Sequence, residues 1–577
     1  MSAVAVAAYE DHEYVHSGVN GDIPVRLSAK AANLSSMVGR FGDLGAAIDA
    51  CEYWYGPYAY GRVGYVLTTD GALEIPTNIA YPQFMSTQSI IENRGLLTHE
   101  LGHSWWGDVV TPYIHNDMWL KEGPAEYSGH LIEEWLGGAA AFYKVVKDNH
   151  LFVLRSAHLN DGGFQALSPM PDPYIYGTHT YYKGASVMHN LRGYLGDELF
   201  RQALRGIQQN NANTAITAEE FKNALEEQSG VDLDPFFDAW VFEPGFAAFE
   251  VRNMELLSTG DMTEVSVLIG QKLRATASYH TEVPLDITFI SADGEVNDQA
   301  IVASGEETTV QLTVPFEPAM VVLNRYGRLN QARMDHEITL VPGAVFSNLL
   351  PYVDFRLYAT ELVDSTLVRI DHMWSGPDQG PLAAEIIAIG NTHYWNVDGL
   401  WPEGTVLQGR MYYYGQANQF DEELIDGNEN GIAVLYRPTP MDEWVICPDQ
   451  DVNAGNLTNG VGSITVSNLQ KGQYCFGKID GSTTIEEAMD DRPLTFTMGP
   501  VPTLGQLSIS GSLDGQGLLW CDIFGPDGRM VRRTALAVNG AFNGSLDVTD
   551  LANGIYIMRI QDARSGVHQE QRFEVLR

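Results

Sequence analysis

Cysteine is scarce in this chain, with only Cys51, Cys447, Cys475 and Cys521 among 577 residues. Four thiols so far apart cannot build a disulfide framework, and none has the short spacing of a zinc ribbon. Cys447 and Cys475 share one strand-rich segment, where either a disulfide between them or two buried thiols fits. Positive charge is thin as well. Lys and Arg number 34 against 74 Asp and Glu, a formal charge of −40. That balance argues against nucleic acid and anionic membranes as partners, and for a solvated surface whose self-repulsion salt screens within about 10 Å. No apolar run reaches the roughly 18 residues that span a bilayer, so no transmembrane segment is expected. Met1–Ala8 is apolar but short and lacks the basic flank of an export signal.

What is present is apolar material, 45% of residues, in a chain too long for one core; three to five domains are expected at roughly 100–200 residues each. From about Leu27 to Trp240 apolar residues recur at three- and four-residue steps, as in Ala185–Tyr194 and Phe200–Ile207, the helical period. Thr217 and Glu220 form a capping-box signature ahead of Phe221 and Leu225, and Pro235 suits the first turn of a further short helix. After Pro244-Gly245 the period changes to alternation, in Thr263–Ile269, Leu285–Ile290, Thr308–Val314 and Ala319–Leu323. The expected divisions are a helical domain at 28–245, a β-sandwich at 246–340, a second strand-rich domain at 341–497, and a last strand-rich domain at 503–577. Met498-Gly-Pro-Val-Pro-Thr reads as the linker before the last, and Asp426-Gly-Asn-Glu-Asn-Gly as a hairpin loop, because Arg437 stands where a calcium loop needs Glu.

The chemistry concentrates in Leu97-Thr-His-Glu-Leu-Gly-His-Ser-Trp-Trp. On a helix His99 and His103 face the same way and can share one divalent ion. Zinc accepts imidazole nitrogen and carboxylate oxygen at about 2.0–2.2 Å, and a catalytic site keeps one position for water, so a third protein ligand is required. Glu122 opens a second helical stretch, Trp119-Leu-Lys-Glu-Gly-Pro-Ala-Glu-Tyr, after the 18 residues 104–121. Glu100 lies between the histidines and is placed to take a proton from the metal-bound water. Glu126, four residues beyond Glu122, reads as part of a solvated helix face rather than a group orienting a ligand.

These residues resemble the zinc aminopeptidase family of aminopeptidase N and leukotriene hydrolase, whose pattern is His-Glu-x-x-His, 18 residues, then Glu. Trp105-Trp-Gly-Asp-Val-Val-Thr stands where that family has Trp-Trp-Gly-Asn and Val-Thr, with Asp108 in place of Asn. Gly71-Ala-Leu-Glu-Ile is similar to the family's Gly-x-Met-Glu-Asn motif, which implies that Gly71, Ala72 and Glu74 bind substrate, Glu74 holding the free amine. Tyr181-Tyr-Lys-Gly resembles the family's Tyr-x-Lys-Gly, which gives Tyr181 the oxyanion hydrogen bond and leaves Tyr176 and Tyr182 as packing residues. A thermolysin-like endopeptidase fits less well, because its third ligand usually lies one residue further on, a turn of about 100° on a helix.

The resemblance implies a multidomain α+β protein in which a mainly helical, thermolysin-like catalytic domain precedes several β-sandwich domains. It further implies one Zn2+ per chain, peptide substrates, and catalysis by Glu100 and Tyr181. The family's N-terminal β-domain is matched only by residues 1–27, where Tyr14-Val-His-Ser-Gly is similar to its last strands. Gly528-Arg-Met-Val, Leu546–Ile560 and Arg572-Phe-Glu-Val-Leu-Arg resemble the sorting domain of type IX secretion. That likeness implies that secretion machinery as a partner and a secreted or surface location. A non-catalytic scaffold that retains the fold, or a related zinc hydrolase, are the competing readings.

Overall fold

A computed structural model describes residues 4–259, 262–343, 346–453, 459–480, 495–525, 530–549, 551–562 and 568–576. The chain divides into two compact units, Met1–Ile479 and Asp480–Arg577. Helices and several β-sheets together make it a multidomain α+β protein.

The first unit opens with strands β1 (Tyr9–Gly18), β2 (Gly21–Lys30), β3 (Val63–Thr68) and β4 (Ile79–Pro82) in one sheet of that order. β1 and β2 form an antiparallel hairpin, while β2 pairs β3, and β3 pairs β4, in parallel. A parallel neighbour needs a crossover, and helices α1 (Ala31–Arg40) and α2 (Leu44–Tyr55) supply it between β2 and β3. Alternate residues Ile23, Val25, Leu27 and Ala29 of β2 are buried in the core that also holds β3. The boundary expected at residue 27 therefore falls inside a strand, and residues 9–27 belong to the sheet of the segment that follows.

Next come α3 (Ile90–Gly102), strand β5 (Val110–Pro112), α4 (Trp119–Phe152), the short α5 (His158–Asn160), α6 (Gly184–Asn210), strand β6 (Thr214–Ile216), α7 (Ala218–Ser229) and α8 (Asp234–Trp240). The expected capping box of Thr217 and Glu220 starts α7, Pro235 sits in the first turn of α8, and a second box, Ser89 with Glu92, starts α3. α4, α6 and α3 approach closely because glycine lines their contacts. A Cβ on Gly123 would lie 2.9 Å from the Gly184 backbone, and one on Gly102 2.7 Å from Ser128 Oγ. Buried polar ties reach forward in the chain: His150 Nε2 donates to the Gln331 carbonyl at 2.6 Å, and Asn190 Nδ2 to that of Asn330 at 3.0 Å.

Strands β7 (Phe246–Thr259), β8 (Met262–Arg274), β9 (Val283–Ser291), β10 (Val296–Ala303), β11 (Glu307–Val314) and β12 (Pro318–Leu323) form two three-stranded sheets, β10-β9-β12 and β11-β8-β7. They share a core containing Phe249, Val267, Ile287 and Phe289. The strand Arg333–Leu340 pairs with Thr366–Met373, so it belongs to the next block and the division expected at 340 lies behind it. That block is a seven-stranded and a five-stranded sheet around Phe355, Trp395, Tyr413 and Phe476.

Asp426 to Gly431 joins a helical turn, Glu422–Ile425, to the strand Ile432–Arg437, whose partners are other strands, so it is not a hairpin loop. Glu429 holds it from inside, accepting from Tyr413 Oη at 2.6 Å and Gly460 N at 2.7 Å. All four cysteines are buried and free, which settles Cys447 and Cys475 as thiols.

Among its described residues the second unit holds one five-stranded sheet of Thr495–Gly499, Gln506–Phe524, Met530–Asp547, Gly554–Asp562 and His568–Val575, where a sandwich was expected. Its buried face carries Leu507, Ile509, Ile523, Met558 and Phe573. Met498 and Gly499, expected in a linker, pair with Ile509 and Ser508. Gly528, Arg529, Asp550 and Arg577 of the sorting-domain resemblance lie outside the described residues.

Candidate active site

The last turn of α3 carries Thr98, His99, Glu100, Leu101 and Gly102, all buried, and His103 caps it. His99 Nε2 and His103 Nε2 stand 3.1 Å apart. Glu122, in the first turn of α4, brings Oε2 to 3.4 Å from the first and 3.3 Å from the second. Four ligands at about 2.0–2.1 Å around a tetrahedral centre would be separated by about 3.3 Å, so these three atoms mark one face of such a tetrahedron. Both rings are turned correctly for this. His103 Nδ1 donates to the Trp106 carbonyl at 2.9 Å and His99 Nδ1 to Glu126 Oε2 at 3.0 Å, which leaves each Nε2 its lone pair. Glu126 is thus directed at the site and is not on a solvated face, because four residues on a helix bring it back beside Glu122.

Glu100, His103 and Glu74 bring donor atoms within 4.8 Å of one another. Glu100 Oε2 is buried with no hydrogen-bond partner among the described residues, an acceptor available to a water or substrate proton. Burial raises its pKa, opposed by the two imidazoles.

Gly71, with φ of 71°, and Ala72 lead into an isolated bridge where Leu73 and Ala80 exchange backbone bonds of 3.0 and 2.9 Å. Glu74 follows and points to Glu100 and His103, but it is already occupied. Lys121 Nζ lies 2.6 Å from Glu74 Oε1 and 3.1 Å from Glu122 Oε1. Beside this pair, burial and then the Glu74 charge push the Asp108 carboxyl up to about 7.

Tyr181 lies on a single π-helical turn, His179–Lys183, that runs into α6. Its ring stacks beside His99, centroids 5.9 Å apart and planes within 18°. Burial, then the Glu122 charge, raises its pKa, so the hydroxyl keeps its proton to donate. The turn is fixed by Asp161, which accepts from His179 N and Nδ1 at 2.7 Å each and from Thr178 N at 3.1 Å. Tyr182 packs against Phe152 as expected, whereas Tyr176 is exposed. Sequence reasoning missed Lys121 and Asp161: Lys121 was visible only as the variable position before Glu122, and Asp161 carries no motif.

Two stretches of the chain are similar to known protein families. Residues 72–240 match the Peptidase family M1 domain, and residues 498–571 the Secretion system C-terminal sorting domain. The chain is 26% identical to Tricorn protease-interacting factor F2 of Thermoplasma volcanium, over 44% of this chain and 33% of that protein. It is also 26% identical to Aminopeptidase N of Lactococcus lactis, over 44% and 29% respectively. It thus spans a third or less of the length of these relatives. Among solved structures, Legionella pneumophila aminopeptidase A in complex with aspartic acid aligns at a TM-score of 0.45 and 18% identity, over 56% of this chain and 38% of that one. The M1 zinc metallopeptidase from Deinococcus radiodurans aligns at 0.36 and 22%, over 41% and 52%. The chain therefore carries a peptidase family M1 domain between residues 72 and 240 and a secretion system C-terminal sorting domain between residues 498 and 571.

Proposed function

We propose that this protein is a zinc-dependent aminopeptidase whose helical segment, residues 28–245, is a thermolysin-like catalytic domain with one Zn2+ held by His99, His103 and Glu122. The observation that carries the reading is the set of separations between the three donor atoms, 3.1 to 3.4 Å, with both Nδ1 atoms engaged elsewhere. When bound, zinc supplies a Lewis acid for the scissile carbonyl and lowers the pKa of a water.

The side chains do the rest. Glu100 takes a proton from the attacking water and delivers it to the leaving amine nitrogen as the C–N bond breaks. The Tyr181 hydroxyl donates to the oxygen on which negative charge develops. Gly71 and Ala72 offer backbone to the substrate, and Glu74 binds its N-terminal ammonium. No covalent enzyme intermediate is required. Because Lys121 already pairs with Glu74, the incoming ammonium competes with a resident cation, which raises KM for free-amine substrates.

The C-terminal domain supports export by type IX secretion to the cell surface or medium; among the described residues no helix is long and apolar enough to cross a membrane. The test is hydrolysis of a panel of aminoacyl reporters by wild type and Glu100→Gln, with metal content measured on both. Equal zinc with activity lost only in the variant is the expected result; wild type that holds zinc but hydrolyses nothing would leave a scaffold as the reading.

A further inference from the structure

Apart from the site around His99, His103 and Glu122, the first unit has a cavity of about 740 Å³ that opens to solvent. Its wall is assembled from three parts of the chain: the segment after α4, the end of β8, and loops of the block that follows β12. Pockets of roughly 300–1,000 Å³ hold small organic ligands.

Arg274 lies in this wall between two aromatic faces, its guanidinium 5.3 Å from the Phe164 ring and 4.9 Å from that of Trp374. Nη2 donates to the Leu154 carbonyl at 2.9 Å. Nη1 is buried with no hydrogen-bond partner, and no carboxylate pairs with this cation among the described residues. Burial lowers its pKa to about 9, so it stays charged at neutral pH. A half-buried cation without a counter-ion, one of its nitrogens out of reach of water, is costly, and the same wall repeats the pattern. Trp374 is 2% exposed and Ser375 5%, yet Trp374 Nε1 and Ser375 Oγ also lack partners.

The other charges of the wall do not meet this need. Asp354 is bound by both oxygens to Arg155 Nη2 at 2.7 and 2.8 Å. His158 stacks on Phe164 at 4.6 Å with planes 2° apart, and burial followed by the Arg274 charge keeps it neutral. In a chain of formal charge −40 the cavity lining is net positive, two arginines against one aspartate. Phe420, set edge-on to Trp374 at 4.5 Å, completes an aromatic slot beside the free guanidinium.

We propose that this cavity binds a carboxylate that carries an aromatic ring. Arg274 receives the carboxylate as a charge-assisted pair, and the accessible rings of Phe164 and Phe420 hold the ligand's ring. A free aromatic acid and the C-terminal aromatic residue of a peptide present the same chemistry. The inference does not rest on the peptidase reading.

Calorimetry on the full chain tests it, with chelator present throughout so that no carboxylate binds through a metal. The probes are 3-phenylpropionate, its amide, and N-acetyl-alanyl-phenylalanine with a free or an amidated C-terminus. The acetyl group denies the peptide any contact through Glu74. Saturable one-to-one binding is expected for the acids, weaker by about tenfold or more for the amides and for Arg274→Met. Arg274→Lys should keep part of the affinity. Peptide binding at least as tight as the free acid identifies a peptide tail as the occupant; binding of the free acid alone identifies a small molecule. No binding by wild type, or equal binding of acid and amide, overturns the proposal without reference to any variant.

Discussion

Glu126 and Lys121 hold the side chains of the proposed site in place, the first through His99 and the second through Glu74 and Glu122. Glu126 accepts from His99 Nδ1 at 3.0 Å, and partners of this kind commonly account for about 10–100-fold in metal affinity. Glu126→Ala should therefore lose zinc to a competing chelator about 10–100-fold more readily while the helix still forms. Lys121 bridges Glu74 and Glu122. Lys121→Asn should lower KM for free-amine reporters and widen their advantage over N-acetylated ones, read from kcat/KM on matched pairs. Tyr181→Phe should lower kcat by about 10²–10³ with little change in KM, since the hydroxyl acts where charge develops. That His99 and His103 face the same way was legible because residues four apart share one face of a helix. Glu126 obeys that same period, and reading it as solvated neglected the neighbouring helix.

At the scale of elements, the site depends on how closely α4 and the start of α6 approach. A Cβ on Gly184 would lie 2.8 Å from Gly123 Cα, a distance side chains do not adopt. Gly123 follows Glu122 directly and Gly184 comes three residues after Tyr181, so this contact sets the distance between Glu122 and Tyr181. Gly184→Ala should lower stability by about 1–3 kcal/mol, seen as a lower melting temperature, and should also lower kcat because Tyr181 is moved away from Glu122 and the groups beside it. Helices were legible where caps and period agree, as in α7 with Thr217 and Glu220. The Asp426 loop was misread as a hairpin because Asp-Gly turn chemistry is local, whereas strand partners such as 472–479 for 432–437 are not.

Across the whole molecule, acid sensitivity follows from histidines buried without charge. Burial lowers His150 to about 4 and His189 and His280 to about 3. Above about pH 6.5 these rings are neutral whether the chain is folded or not. Between that value and about 3–4 the unfolded chain binds protons that the folded chain refuses, so stability falls as pH falls. The apparent melting temperature should drop through this window, and His280→Phe should shallow the slope, since both ring nitrogens of His280 lack partners and the ring lies 4.5 Å from Trp240. The period change after Gly245 was legible along the chain. The edges at 27, 340 and 497 were not, because strands that end one stretch of sequence pair with strands of the next.

His150, near the end of α4, waits for a carbonyl that lies 181 residues later. At about 5–20 residues per second, a ribosome supplies Gln331 roughly 9–36 s after His150. For that interval the helical segment emerges with a buried donor still unanswered, as does Asn190 until Asn330 arrives. The strands that close the first unit are thus needed before the helices synthesised ahead of them can take their final packing, and a nascent chain halted before residue 331 should remain open to protease.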